Sequence, residues 1–393
     1  MLDGYLLALL LATIESASAY SLIHWCILFA KFLFFAFLLF YLNEKFIVTT
    51  LRIYANLMVL TVLFAVVAVV VAALGYQPLA TVDLHGTLTN FYFGSYYTPH
   101  YSPICAPAPI YRIQGLSEEP GTFGFVLLPA FFWLVIAEKA YVRSAIIVLG
   151  ISLTMSLGTG LFLLMLLPLI AWKFSSHYKV PVFFLSVICI IGTMYVVSGP
   201  CQTSYLENLQ KNQSNLKNKD EIALSSVLDE CTKLHSKSEC ISILKYNSAS
   251  TASGKVHSFK DRFGGTLIAW SYLKNHVMGT GTGLGMSSIN AIAAGTSANA
   301  EGYVVAILEA GIVGGLLYLC LFAIMGWLAI KAIVFTAIYS FDDRVMVVVA
   351  LSVCSVLVMG AQRIQPDITL WHLWIYAMWF YLLQKMSCSK VAG

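Results

Sequence analysis

Arg112, Glu118 and Glu119 stand close together just before a long apolar run, in Tyr111-Arg112-Ile113-Gln114-Gly115-Leu116-Ser117-Glu118-Glu119-Pro120. An arginine at such an edge presents a rigid fork of donors suited to phosphate or carboxylate. The two carboxylates have a simpler reading. Pro120 suits the first turn of a helix, and acidic residues beside it complement the helix dipole. A second group runs from Asp261-Arg262-Phe263-Gly264-Gly265 through Trp270, Lys274 and His276 to Gly279-Thr280-Gly281-Thr282-Gly283-Leu284-Gly285. Alternating glycines allow backbone N–H groups, at Gly281 and Gly283 above all, to approach a phosphate. No strand–helix–strand unit surrounds them and no Gly-Lys-Ser/Thr follows, so this is neither a dinucleotide fingerprint nor a P-loop. The simpler reading is an interfacial helix near 262–275 followed by a turn. A third group is Asn299, Glu301 and Tyr303, with Glu309 two helical turns further on; a carboxylate that deep in an apolar helix faces the protein interior or a cavity. The fourth is Arg363, Asp367 and His372, of which the first two also fit an exposed ion pair of little energetic weight.

These groups are embedded in a chain that water cannot easily solvate. Of 393 residues, 59% are hydrophobic and 11% charged, against about 25% charged in an average soluble domain. Mean hydropathy is +0.80. A soluble enzyme, a nucleic-acid-binding protein and a disordered chain are all excluded, since none can be built with so few charges. The net charge of +4 says little by itself, because in a membrane protein the placement of charge matters more than its sum.

A spanning helix needs about 20 mostly apolar residues. The runs 4–20, 24–42, 52–74, 121–138, 180–198, 303–324, 344–361 and 368–384 each read as one span, and 144–172 reads as two, turning near Ser156-Leu157-Gly158-Thr159-Gly160. The fold class expected is all-α: a polytopic bundle of about ten spans with a periplasmic helical insert. Short basic loops are cytoplasmic by the positive-inside rule. Lys45 with Arg52, Lys139 with Arg143, Lys173 with Lys179, and Lys331 with Arg344 then lie inside, as do both termini. All four polar groups fall on the outer side. The expected organisation is a seven-span bundle over 1–198 with an outer loop at 75–119, a large outer segment over 199–301, and three spans over 302–393. Within that segment, residues 199–262 hold 16 of the chain's 42 Asp, Glu, Lys and Arg residues, and they read as a small helical cap. Cys105, Cys201, Cys231 and Cys240 lie in outer loops, where an oxidising compartment favours disulfides; Cys231–Cys240 follows from local spacing, with Cys105–Cys201 joining the two loops. Buried free thiols are the alternative.

Arg-x-x-Gly-x-x-x-Glu-Pro, from Arg112 to Pro120, resembles the motif that opens a mid-chain span of the Wzy-type O-antigen polymerases. Arg262 with Trp270 and the turn 279–285 resembles their main periplasmic loop, and Glu309-Ala310-Gly311-Ile312-Val313-Gly314 resembles the span that follows. The resemblance covers about 112–325. The related O-antigen ligases carry His-Asn where this chain has Ala300 and Glu301, which argues for a polymerase over a ligase.

The resemblance implies a metal-independent glycosyltransferase of the bacterial inner membrane, with no cofactor, acting at the periplasmic face. Its donor and acceptor are glycans on undecaprenyl pyrophosphate, and its partners are the bilayer, with a chain-length regulator and a flippase as further expected partners and no nucleic acid. Positive charge is needed at the pyrophosphate and a base at the acceptor hydroxyl. Arg112 and Arg262 suit the first need, supported by Lys274, Gly281 and Gly283. The base candidates are Glu301, then His276, then Glu119, whose proximity to Arg112 makes it a poorer base. Arg363, Trp270 and Tyr303 are acceptor-site candidates, and no ligand spacing for a metal is present. A ligase and a transporter or flippase of lipid-linked sugars are the rival readings. The second would place its charges at the bilayer midplane in repeated halves.

Overall fold

A computed structural model describes residues 2–41, 44–84, 87–92, 95–100, 110–115, 117, 120–154, 156, 158–160, 162–163, 166, 266, 269–274, 276–285, 302–336, 339–362, 381–383 and 385. Among the described residues the long elements are helices: α1 (Leu2–Glu15), α2 (Ala19–Tyr41), α3 (Glu44–Ala73), α4 (Pro120–Phe132), α5 (Tyr141–Leu153), α6 (Gly302–Phe335) and α7 (Phe341–Gln362). Four are long and apolar enough to cross a membrane: Lys45–Ala73, Pro120–Ala137, Gly302–Phe335 and Phe341–Gly360. α1, α2 and α5 contribute shorter apolar helices. The chain turns out of α5 at Thr154 and resumes helix at 158–160, where Ser156 to Gly160 were expected to break it. The expected spans at 180–198 and 368–384 lie wholly or largely outside the described residues.

The all-α expectation is corrected in the segment between α3 and α4. Four strands form an antiparallel meander there, β1 (Ala80–Leu84), β2 (Thr87–Tyr92), β3 (Ser95–His100) and β4 (Ile110–Gly115), in the order β1-β2-β3-β4. The strand composition explains it. Thr, Val, Tyr, Phe and Ile dominate these runs, and two-residue connections ending in glycine, His85-Gly86 and Phe93-Gly94, are hairpin signals. Thr81 pairs with Asn90, Phe91 with Tyr96, and Thr98 with Arg112, with a bulge between Tyr96 and Tyr97. Tyr92 is buried with Ala68 and Ala72 of α3, and its hydroxyl donates to the Tyr76 carbonyl.

The chain divides into two compact units. One takes in Leu39–Cys201, Met325–Met359 and Trp374–Gly393. Here α4 is buried throughout and continues into a wide five-residue turn, Trp133–Ala137. At the end of that turn Glu138 collects two cations. Arg52 Nε donates to Oε1 at 3.2 Å, Arg143 Nη2 to Oε2 at 2.7 Å, and Arg143 Nη1 reaches Asn56 Oδ1 at 2.7 Å. These basic residues mark loops read from the sequence as cytoplasmic, and one carboxylate ties α3 to the α4–α5 corner. The other unit takes in Met1–Leu38, Gln202–Ile324 and Gly360–Leu373, and it holds the glycine-rich turn.

Candidate active site

In the second unit a short helical stretch, 269–274, lies on α6. Ala269 and Leu273, four residues apart, are buried with Val305 and Leu308, and Tyr272, Val304, Ile307 and Ile312 pack around them. The same periodicity puts Trp270 and Lys274 together on another face. Both are exposed, Trp270 to 58%. An indole and an ammonium one helical turn apart suit a sugar ring bearing negative charge. His276 is exposed too, its ring stacked on Tyr272 with centroids 4.2 Å apart. Burial, and secondly the Glu15 carboxylate, hold the Tyr272 phenol above its ordinary pKa, so it stays neutral.

The chain then enters the glycine-rich turn, which is bound within the protein on two sides. On one side is a break in α6. Gly311 has φ 72° and ψ −176°, a conformation open essentially to glycine alone. A regular helix would pair Ile312 N–H with Leu308 C=O and Val313 N–H with Glu309 C=O. Instead Ile312 N–H donates to Val277 C=O at 3.0 Å, Thr280 N–H donates to Leu308 C=O at 2.9 Å, and Gly281 N–H donates to Glu309 C=O at 3.1 Å. The incoming turn therefore replaces the lost helical bonds, which unpaired would be costly in an apolar span. Gly279 and Gly311 meet face to face: a Cβ on Gly279 would lie 2.4 Å from Gly311 N, and one on Gly311 would lie 2.4 Å from Val277 O.

On the other side is the α1–α2 corner. Thr282 N–H donates to Thr13 Oγ1 at 3.2 Å, and the two threonine hydroxyls are 2.9 Å apart. Ser21 Oγ reaches Thr13 Oγ1 at 3.4 Å, and Ser16 Oγ donates to Thr13 C=O at 2.7 Å. Gly281 packs against Ser21 and Ser16, and Gly283 against His24 and Tyr20. Glu309, 3% exposed, accepts Gly285 N–H at 3.2 Å through Oε1. So Gly281 lends its N–H to the protein, and the turn acts as a clasped structural piece. The sequence placed Glu309 toward the interior and carried the glycine signal. It could not show that the two meet, nor that Thr13 and Ser21, among ordinary apolar residues, receive the turn.

Arg112 lies in the first unit, on β4. Its Nε donates to Thr154 C=O at 2.9 Å, at the end of α5, which sets the plane of the guanidinium. Gly115, at φ 59°, closes on Phe123 of α4, and Gln114 Nε2 donates to Ser117 C=O at 2.8 Å. The strand, its exit turn and the start of α4 thus fix the Arg112 backbone. Tyr303 sits half-buried in an aromatic cluster, edge-on to Tyr318 at 5.9 Å and to Phe322 at 5.5 Å. Arg262, Glu301, Glu119, Arg363 and the four cysteines expected to form disulfides, Cys105, Cys201, Cys231 and Cys240, lie outside the described residues.

The WcaD colanic acid polymerase family model matches residues 4–216, more than half of the chain. The chain belongs to this family. Membership accords with the resemblance to polysaccharide polymerases read from Arg112 to Pro120, which falls inside the matched region. WcaD family membership makes the chain a polysaccharide polymerase by class, and its apolar helices fit a membrane protein. No curated protein and no solved structure matches the chain.

Proposed function

We propose that the chain polymerises lipid-linked oligosaccharide repeat units into a surface polysaccharide at the periplasmic face of the inner membrane. The observation that carries this reading is the match to a polysaccharide polymerase family on a chain of membrane-spanning helices. In the reaction, the bond between the donor's anomeric carbon and the pyrophosphate oxygen breaks. A hydroxyl oxygen of the acceptor glycan forms the new glycosidic bond. Its proton passes to a protein base, and undecaprenyl pyrophosphate departs with the bonding pair.

The leaving group is strongly anionic, so cationic donors preorganised around it lower the barrier. Arg112 and Arg262 are assigned this task, with Lys274 in support. Gly281 and Gly283 support the site through the shape of the clasped turn. Trp270, Arg363 and Tyr303 are assigned to the acceptor glycan. The exposure of Trp270 and Lys274 on one helical face favours a role for that pair at the substrate. Purified protein in detergent is expected to lengthen a lipid-linked oligosaccharide. Strict dependence on a sealed bilayer would point instead to transport, and transfer onto a lipid A core to ligation.

Glu301 is assigned as the base ahead of His276 and Glu119, because in the sequence it directly precedes α6, where the related ligases carry His-Asn. Losing a general base costs about 10²–10⁴ in rate. Glu301→Gln is therefore expected to lose activity at normal abundance and unchanged thermal stability. Normal elongation by that variant would move the role to His276, a residue type suited to proton transfer near neutrality.

A further inference from the structure

We infer that Glu309 is a positioning residue: by holding the backbone of Gly285 it locks the glycine-rich turn into the break of α6, and so sets the Trp270–Lys274 face. The inference rests on the proposed role of that face at the substrate. Three observations converge on it. Glu309 is the one Asp, Glu, Lys, Arg or His between Gly302 and Gly326, a mostly apolar stretch of α6, and it is 3% exposed. A carboxylate so placed is costly unless it does structural or chemical work. Its Oε1 takes the N–H of Gly285, at the far end of the turn, while its own carbonyl takes the N–H of Gly281, at the near end. One residue thus grips both ends of a five-residue segment.

The third observation is the rigidity of the path back to the face. Thr280 N–H and Val277 C=O are bonded to the two sides of the break, and Leu273 and Ala269 are packed on Val305 and Leu308. From Ala269 to Gly285 the chain is therefore fixed to α6 by apolar contact at one end, main-chain pairing in the middle and the Glu309 side chain at the other. Release of the last contact frees the Gly285 end of the turn, while the main-chain pairs at Leu308 and Glu309 and the hydroxyl cluster of Thr13 and Thr282 still hold its start and middle. Trp270 and Lys274 are joined to the turn through Val277 and Thr280, so loosening of the turn reaches their face against the hold of Ala269 and Leu273 alone among the described contacts of that stretch. The carboxamide of glutamine has an oxygen at the same reach and can accept the same N–H, so the role needs the acceptor atom and not the charge.

Full-length protein carrying Thr282→Cys, compared throughout with the same cysteine beside an intact Glu309, reports on the turn, since residue 282 is 3% exposed and its N–H bond to Thr13 survives the change of side chain. Maleimide labelling at residue 282, quantified by mass spectrometry, is read alongside elongation kinetics on a lipid-linked oligosaccharide. Glu309→Ala is expected to expose residue 282 and to raise KM roughly tenfold with kcat changed far less, well within the 10²-fold that a misplacement of about 1 Å can cost. Glu309→Gln is expected to keep both near the parent. Should the alanine variant not accumulate, Glu309→Asp, one methylene too short to reach Gly285, takes its place with the same expectation. Protection retained in Glu309→Ala overturns the proposal, as does Glu309→Gln behaving like Glu309→Ala. Labelling that rises with unchanged kinetics overturns it as well. The reading of the substrate face fails separately, if Trp270→Ala and Lys274→Ala in an intact Glu309 background elongate normally.

Discussion

Replacing Gly311 with alanine is expected to disable the protein, while the same change at Gly326, fifteen residues along the same helix, is expected to pass almost unnoticed. The backbone of Gly311 lies where a Cβ costs about 1–3 kcal/mol in strain alone. The added atom would also sit 2.4 Å from Met278 C and Val277 O. These are backbone atoms, so no rotamer change relieves the clash. The chain has one inexpensive escape. Alanine favours the helix, and a continuous α6 regains Ile312 N–H to Leu308 C=O and Val313 N–H to Glu309 C=O. That rearrangement takes the acceptors from Thr280 and Gly281 and expels the turn. At Gly326 the nearest atom to a new Cβ is Leu357 Cδ1 at 3.4 Å, ordinary contact with the end of a flexible side chain. Elongation activity and proteolysis within 276–285 are the measurements. Gly311→Ala should lose activity by a factor of roughly 10² or more, in line with misplaced catalytic or binding groups, and should gain cleavage in the turn. Retained activity with an uncleaved turn would mean that the break in α6 is not needed.

The contrast between those glycines also marks what the sequence could and could not convey. The membrane class was legible, because apolar runs near twenty residues in length leave few alternatives. Arg112 and the other polar groups were legible as residue types in unusual places. The strands are hidden because the positive-inside argument treats residues 75–119 only as a loop, and period-two alternation is weak in short Thr- and Tyr-rich runs. The clasp was out of reach for a different reason. Glu309-Ala310-Gly311 reads as ordinary helix, since glycine is common in spanning helices. Its break is created by a segment some thirty residues earlier in the chain, and only the pairing of Gly279 with Gly311 explains why both must lack a side chain. The glycine alternation is plain in the sequence, but the N–H groups of Gly279, Gly281 and Gly285 face protein acceptors, which makes the turn a structural lock at those positions.

That shift moves the burden of the leaving group onto side chains, and with it the second large effect. Alanine at Arg112 or at Arg262 is expected to abolish polymerisation. Removing one preorganised donor from a developing anion costs about 10²–10³ in kcat. Arg112 also has a structural bond to lose, from Nε to Thr154 C=O. A hydrogen bond of that kind contributes about 0.5–1.5 kcal/mol, or up to about 3 when one partner is charged. The two losses separate in measurement. A purely structural Arg112 would lower abundance and melting temperature while the surviving protein elongates at the parent rate. A pyrophosphate ligand would leave most of the protein folded and nearly inactive. Lysine sharpens the test at Arg112. Its single ammonium cannot hold the Thr154 carbonyl and keep the planar fork directed at an anion, so Arg112→Lys is expected to recover little activity. Near-parent elongation by Arg112→Ala would remove β4 from the catalytic site and leave Arg262 and Lys274 as the cations to test at the leaving group.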